Sequence, residues 1–354
     1  MAPLQICLSI FCLTLLIVST PLPVSADIND YTIRFGGRQD TLRRDKPLRN
    51  SENPVRNSQR NDRPIIGIFT QPSGTTVDGT VFAEYIAGSY VKYIESAGAR
   101  VVPVRYQRSK EELKILFSRL NGVLLPGGGT ELIPGDAYYE AGVALWEYVQ
   151  TDPTFPIFGT CLGFELLSSL ASGSDTVLRK SGHFSADNIS WPVNLTREAE
   201  KSVMFKGLDR KVIKALQTEP IAYNSHSDGI TPDVFYRTPN LAQNFNILGT
   251  GRDKNQKEFV AIIEAKERPM WGVQFHPEKA VFEWYLPVNI PHQPEAIALA
   301  QHLADLLVQH ARMNMNRFPG TPSEVAKKLI NNYRYAFLGN EYFQEMWLFH
   351  PSDM

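Results

Sequence analysis

Of the three cysteines in the chain, Cys7, Cys12 and Cys161, only the last has neighbours suited to chemistry. It stands in Gly159-Thr160-Cys161-Leu162-Gly163, after the apolar run Pro156-Ile157-Phe158 and before a helical pattern from Leu162 to Leu170. A strand that turns into a helix this tightly needs flanking residues without side chains, as in the nucleophile elbows of hydrolases. Such a turn holds a nucleophile at the carboxyl edge of a sheet, where open α/β folds bind ligands. The helix start beside Cys161 favours negative charge and predicts a lowered thiol pKa. The bland alternative is an inert, buried cysteine, because free cysteine is among the most buried residue types. The elbow favours the nucleophile.

A thiolate needs a base. Any one of the seven histidines is by default a surface or satisfied core residue. His276 differs because it follows the apolar run Trp271 to Phe275 and is itself followed by Pro277-Glu278. Residues two apart on an extended segment face the same way, so Glu278 is expected to reach the imidazole while Pro277 points away. A carboxylate on one ring nitrogen fixes the tautomer and leaves the other nitrogen for the nucleophile. A third element is Pro126-Gly127-Gly128-Gly129, which follows the apolar run Gly122 to Leu125. Alone it could be no more than a tight turn. Beside Cys161, the amides of this loop, with that of Leu162, are positioned to form an oxyanion hole. No Gly-Lys-Ser or Gly-Lys-Thr follows, so it is not a phosphate loop.

The elements needed to carry these residues are legible as alternation. Ile65 to Phe69, Val101 to Val104, Gly122 to Leu125 and Pro156 to Phe158 read as short buried strands. Between them lie a helical pattern through Tyr85, Tyr90 and Ile94 ending near Gly98, a capping-box helix from Ser109-Lys110-Glu111-Glu112 to about Leu120, and a helix from Ala137 to Val149. Strands alternating with helices predict a three-layer α/β fold, a mostly parallel sheet with helices on both faces. From Gly173 to Asn246 the pattern weakens into short strands and loops. A hairpin pair, Phe259 to Ile263 and Met270 to Phe275, and an amphipathic helix from Ala296 to Gln309 follow. The tail, with Tyr333, Tyr335, Phe337, Tyr342, Phe343, Trp347 and Phe349, is aromatic enough to pack on the domain.

Composition sets the bounds. The 354 residues are 43% hydrophobic and 21% charged, with net charge −1 and pI about 6.7. That is globular, and it provides no overall field to gather nucleic acid or an anionic membrane. Leu4 to Val18 is apolar but short for a span, and Val24-Ser25-Ala26 follows Pro21 and Pro23, so residues 1–26 read as a cleaved secretory signal. An uncleaved anchor is the alternative, since no Lys or Arg precedes the apolar stretch. No later segment is apolar enough to cross a membrane. Residues 27–63 form a polar, charge-dense extension, either a processed pro-segment or a solvated tail, and residues 64–354 form the catalytic domain. Cleavage would leave Cys161 as the lone thiol. Two sequons, Asn188-Ile189-Ser190 and Asn194-Leu195-Thr196, mark glycosylation candidates at Asn188 and Asn194.

The loop Pro126-Gly127-Gly128, the run Gly159-Thr160-Cys161-Leu162-Gly163-Phe164-Glu165 and the run Gln274-Phe275-His276-Pro277-Glu278 together resemble the class I glutamine amidotransferase superfamily, a flavodoxin-like fold, and within it the γ-glutamyl hydrolase family. The likeness extends through Ser89-Tyr90-Val91-Lys92-Tyr93, Glu95-Ser96-Ala97-Gly98-Ala99 and the aromatic tail, covering most of the chain from Pro64 onward. It implies a Cys161-His276-Glu278 triad and an oxyanion site at Gly128, Gly129 and Leu162. It also implies no cofactor or metal, folylpolyglutamate or another γ-glutamyl compound as substrate, and a homodimer in secretions, lysosome or vacuole. Tyr223-Asn224-Ser225-His226 would lie in the substrate-binding loop, with His226 near the glutamate unless it is a surface histidine. Two other functions share these residues. A glutaminase subunit of an amidotransferase would pass ammonia to a synthase, and Glu165 speaks against it, since amidotransferases usually carry glutamine there. A catalytically inactive secreted binding protein would not need the intact set. An α/β-hydrolase would place its acid between nucleophile and histidine, whereas here the acid follows the histidine.

Protein from its native source should begin near Asp27 and carry sugar on Asn188 or Asn194. Terminal sequencing and glycosidase-induced mobility shifts measure both, and an unprocessed Met1 without glycan would refute the secretory route.

Overall fold

The computed structural model describes residues 60–353 other than 181, 286 and 340–342. The expected signal, most of the polar extension and Tyr342 lie outside the described residues. The uniformly buried run Ile65–Phe69 forms strand β1, and its alternate side chains enter two different cores, Ile66 and Ile68 on one face, Ile65 and Phe69 on the other. A strand apolar on both faces must be covered on both. On one side lie α1 (Gly88–Ser96), with Tyr90, Val91 and Ile94, and a late helix, with Leu299, Leu303 and Leu307. On the other lie α2 (Lys110–Phe117), α3 (Ala137–Thr151) and α4 (Leu162–Ser172). The three-layer expectation is met.

The other strands of the main sheet are β3 (Arg100–Val104), β4 (Gly122–Leu125), β5 (Ile157–Thr160), β8 (Phe245–Arg252), β9 (Glu258–Ala265) and β10 (Met270–Val273), together with the two-residue strand Asn194–Leu195. Beginning at one edge, the order of this eight-stranded sheet is β3, β1, β4, β5, β10, β9, β8 and Asn194–Leu195. From β3 to β10 all pairings are parallel, and from β10 outward they are antiparallel. The parallel part has the flavodoxin-like order, with its reversal between β1 and β4. The glycine loop follows β4, so it sits at that reversal.

Several sequence expectations need correction. Tyr85 belongs to a strand, β2 (Glu84–Ala87), and the helix begins only at Gly88. The capping box at Ser109 and Glu112 forms as predicted, but the helix ends at Phe117 rather than Leu120. The stretch from Gly173 to Asn246 contains short strands, β6 (Ala186–Trp191) and β7 (Ala222–His226), and also helix α5 (Arg210–Thr218), which was not anticipated. Strand β8 was missed as well: Asn246, Gly249, Thr250 and Gly251 interrupt its apolar pattern, and pairing with β9 makes it a strand. Beyond β10 come α6 (Lys279–Phe282) and the late helix, α7 (Pro294–Ala311). The aromatic tail does pack. Its strands β11 (Arg334–Phe337) and β12 (Glu345–Phe349) pair with each other, and β12 pairs with β2.

A buried ion pair fastens this small sheet to the carboxyl edge of the large one. Arg105 Nε lies 2.9 Å from Glu84 Oε2, and both side chains are buried. The Thr70 hydroxyl also bonds Glu84, and the guanidinium lies 5.2 Å from the centre of the Phe349 ring. Among the described residues no helix is long and apolar enough to cross a membrane. Asn194 is exposed, whereas Asn188 is half-buried and its side-chain oxygen accepts the Asn289 N–H at 2.8 Å.

Removing one partner of a buried charge pair leaves the other uncompensated. Arg105→Met should therefore cost about 3–5 kcal/mol, and Glu84→Gln added to it should restore more than half of that loss. Urea unfolding of the two variants and the wild type measures the difference.

Candidate active site

Strand β5 ends at Thr160, and the next residue, Cys161, has φ 51° and ψ −110° before α4 begins at Leu162. Backbone in this region costs about 1–3 kcal/mol for a non-glycine residue and persists only where its surroundings enforce it. Here the enforcing contacts are on either side. A Cβ on Gly163 would lie 2.0 Å from the Leu125 carbonyl oxygen, and one on Gly159 would lie 2.5 Å from the carbonyl oxygen of Gly163. The first turn of α4 thus rests directly on the backbones of β4 and β5. Cys161 N–H donates to Val273 O at 2.8 Å, which ties the elbow to β10.

The same pairing delivers the histidine. Val273 is opposite Thr160 in the parallel β10–β5 register, so the residues just beyond both strand ends meet. His276 N–H donates to Tyr223 O at 2.8 Å, and its Nδ1 lies 2.8 Å from Glu278 Oε1. The pair is buried. The predicted His276–Glu278 contact is present, but not for the predicted reason. Strand β10 ends at Val273, and Glu278 is helical, with φ −61° and ψ −31° at the start of α6. A turn, not an extended segment, brings the carboxylate back to the ring. With Nδ1–H donating to Glu278, Nε2 is the free acceptor. A side chain on Gly127 would stand 2.7 Å from His276 Cε1 and 3.3 Å from Cys161 Cβ, so only glycine lets the loop pack against both residues, and Cys161 and His276 line one cavity.

The glycine loop divides its labour. Gly127 N–H donates to the Tyr90 hydroxyl at 2.8 Å and is not available to a substrate. Gly128 and Gly129, with Leu162, line the cavity that contains Cys161. Gly128 also packs against Gln71, whose amide is held by Tyr138 and Thr130. The Leu162 amide bonds the Cys161 sulfur and favours its anion, but burial first, and then the Glu165 carboxylate, push the thiol well above its usual range. The predicted lowering is overturned. One helix terminus does not offset the desolvation of a buried thiolate.

His226 ends β7, is buried, and lines the same cavity, which excludes the surface reading. Its Nδ1 lies 2.8 Å from Asp228 O, a carbonyl that can only accept, so Nδ1 carries the proton. Nε2 is a buried acceptor without a protein partner. Burial among Phe184 and Phe259 is the main cause that lowers the ring's pKa to about 4, so it is neutral above that pH. The cavity has a volume of about 860 Å³. Tyr85, Phe343 and Met346, from the small sheet and tail, form one wall.

Residues 83–283 match the family model described as glutamine amidotransferase class-I. The γ-glutamyl hydrolase B of Dictyostelium discoideum is 35% identical over 297 residues, spanning 82% of this chain and 84% of that protein. Human γ-glutamyl hydrolase is 37% identical, spanning 81% and 90%, and γ-glutamyl hydrolase 1 of Arabidopsis thaliana is 34% identical, spanning 82% and 83%. The chain belongs to the γ-glutamyl hydrolase family. Among solved structures, a glutamine amidotransferase of Thermotoga maritima aligns with 71% of this chain and 99% of that one, at 14% identity and a TM-score of 0.43.

In this γ-glutamyl hydrolase family member two cavity residues have roles that motif reading missed or misjudged. Lys279 lines the cavity although it is only 3% exposed, with Nζ 4.7 Å from the centre of the Phe343 ring. Burial lowers its pKa, against the pull of Glu278 and Glu283. Its only sequence signal is adjacency to Glu278. Glu165, one turn into α4, accepts from Gln274 Nε2 at 2.9 Å, and burial pushes its carboxyl up to about 8. At neutral pH it is a neutral acid, nearly isosteric with the glutamine expected of amidotransferases. The contrast that Glu165 offered in the sequence is therefore weaker in charge than in name.

Cys161→Ala should abolish turnover, and His276→Ala should come close to that. Glu278→Gln should lose on the order of a hundredfold or more in kcat, because the ring loses its orienting carboxylate. Near-normal activity in a folded Cys161→Ala variant, with circular dichroism as the check, would mean that the nucleophile is misassigned.

Proposed function

We propose that Cys161, His276 and Glu278 hydrolyse γ-glutamyl amide bonds through a thioester, and that folylpoly-γ-glutamates are the substrates. Hydrolysis of γ-glutamyl bonds accords with the chain's family. The observation that carries the assignment of roles is the one cavity lined both by Cys161, on strained backbone, and by an imidazole locked to a carboxylate.

The steps follow from the groups present. His276 Nε2 takes the thiol proton as the sulfur attacks the γ-carbonyl carbon, so the unfavourable thiolate exists only paired with imidazolium. The oxyanion collects on the amides of the Gly128-Gly129 loop and Leu162. His276 then gives its proton to the leaving nitrogen as the C–N bond breaks, releasing an amine and leaving the thioester. Water, deprotonated by His276, attacks the thioester, and the products are a γ-carboxylate and the restored thiol. His226 Nε2, an acceptor only, suits an N–H of the bound glutamyl residue. Lys279 and Lys180 line the cavity as cations for substrate carboxylates. A secreted, lysosomal or vacuolar glycoprotein, supported by the N-terminal apolar run and the two sequons, and a homodimer, by resemblance to the family, complete the proposal.

A glutaminase needs room only for ammonia beyond the scissile bond, whereas this cavity continues from Cys161 to a wall built by the tail. A γ-linked glutamate leaving group fits that space. The protein alone should therefore cleave a diglutamylated folate with a kcat/KM well above that for free glutamine, and a preference for glutamine would overturn the proposal.

A further inference from the structure

The run Ser89-Tyr90-Val91-Lys92-Tyr93 contains no recognisable catalytic pattern, yet the Tyr90 hydroxyl touches both halves of the apparatus. Its ring is 1% exposed in the core between α1 and the sheet. Its oxygen accepts the Gly127 N–H at 2.8 Å and stands 3.2 Å from His276 Nδ1. That nitrogen already donates to Glu278 Oε1, so the phenolic hydrogen is left for Glu278, whose Oε2 is buried without a hydrogen-bond partner among the described residues. Burial first, then the Glu278 charge, hold the Tyr90 pKa well above the usual phenol range, so the hydroxyl keeps its hydrogen. A Cβ on Gly127 would lie 2.6 Å from this oxygen, which shows how closely the loop is drawn against it.

We propose that Tyr90 is a positioning residue, one hydroxyl that registers the oxyanion loop against the His276–Glu278 pair. Gly127 precedes the two glycines that face the cavity, so fixing its amide sets where theirs point. Oxyanion donors act only where the charge develops, and a displacement of about 1 Å can cost a hundredfold. Its place 3.2 Å from His276 Nδ1 gives the same hydroxyl a hold on the imidazole. The loop and the base therefore cannot move independently. This proposal rests on the catalytic roles assigned above.

The test compares Tyr90→Phe with Tyr93→Phe. Tyr93 lies one turn further along the same buried face, and its hydroxyl has no hydrogen-bond partner, so it controls for the loss of a buried hydroxyl as such. Tyr90→Phe should lower kcat on a diglutamylated folate roughly 10- to 100-fold with KM within about twofold, while Tyr93→Phe stays within about twofold of wild type in both. Combined with Glu278→Gln, the Tyr90→Phe loss should be much smaller than in the wild-type background, since the two changes disturb one pair. Independently of turnover, the low-field Nδ1 proton of His276 should shift in the NMR spectrum of Tyr90→Phe and not of Tyr93→Phe. If Tyr90→Phe does not fold, 3-fluorotyrosine at position 90 keeps ring and hydroxyl and should still change kcat and move that resonance. Wild-type kcat in folded Tyr90→Phe, equal losses in the two phenylalanine variants, or a fully multiplicative effect with Glu278→Gln would overturn the proposal. A wild type inert towards every γ-glutamyl substrate would instead refute the catalytic reading, and the resonance would then decide the role of Tyr90.

Discussion

The backbone of α4 comes down onto the ends of β4 and β5 with no room for a side chain at the contact. Gly163 against the Leu125 carbonyl, and Gly159 against the Gly163 carbonyl, set that distance. With the helix start this low, the chain can leave β5 only through a residue in the left-handed region, and Cys161 is that residue. Its thiol is thereby thrown up from the sheet edge towards the cavity. The parallel pairing of β5 with β10 then fixes where His276 must emerge, and the glycine loop after β4 completes the ring of groups. Three neighbouring strands of one sheet thus place Cys161, His276 and the glycine loop, the proposed nucleophile, base and oxyanion donors.

Burial decides the electrostatics of the site more than charge pairing does. The Cys161 thiol, the Glu165 carboxyl and the His226 ring are each driven towards the neutral form, with desolvation as the leading cause. These three groups add no standing charge at neutral pH, so the charge on the sulfur must be made during the reaction. This suits an amide hydrolase, where the proton removed from the nucleophile is the proton required by the leaving amine. The cavity also holds the neutral acceptor His226 and the side chains of Lys279 and Lys180, the latter paired with Asp175 at 2.8 Å.

The Cys161 elbow, the His276–Glu278 contact and the parallel sheet were legible because each leaves a local trace: glycines at fixed offsets, a His-Pro-Glu run after an apolar strand, and helices alternating with buried runs. The geometry linking His276 to Glu278 was read correctly in outcome and wrongly in cause, since three residues cannot reveal a turn into α6. The thiol pKa was misjudged because burial is a property of the whole fold, and the sequence displays only the helix start. Gln71 and Tyr90 gave no usable signal, as each acts across distances of primary structure that no spacing rule covers, and Lys279 offered only its adjacency to Glu278. Helix α5 was hidden inside a stretch read as irregular, with only Val212, Ala215 and Leu216 buried in it.

The thiol that resists ionisation has a further consequence, outside hydrolysis. Disulfide exchange and peroxide oxidation both proceed through the thiolate, so a sulfur kept protonated and only 5% exposed reacts slowly with either. Cys161 is also the only cysteine among the described residues. The burial that raises the thiol pKa therefore also shields the sulfur from adventitious redox chemistry.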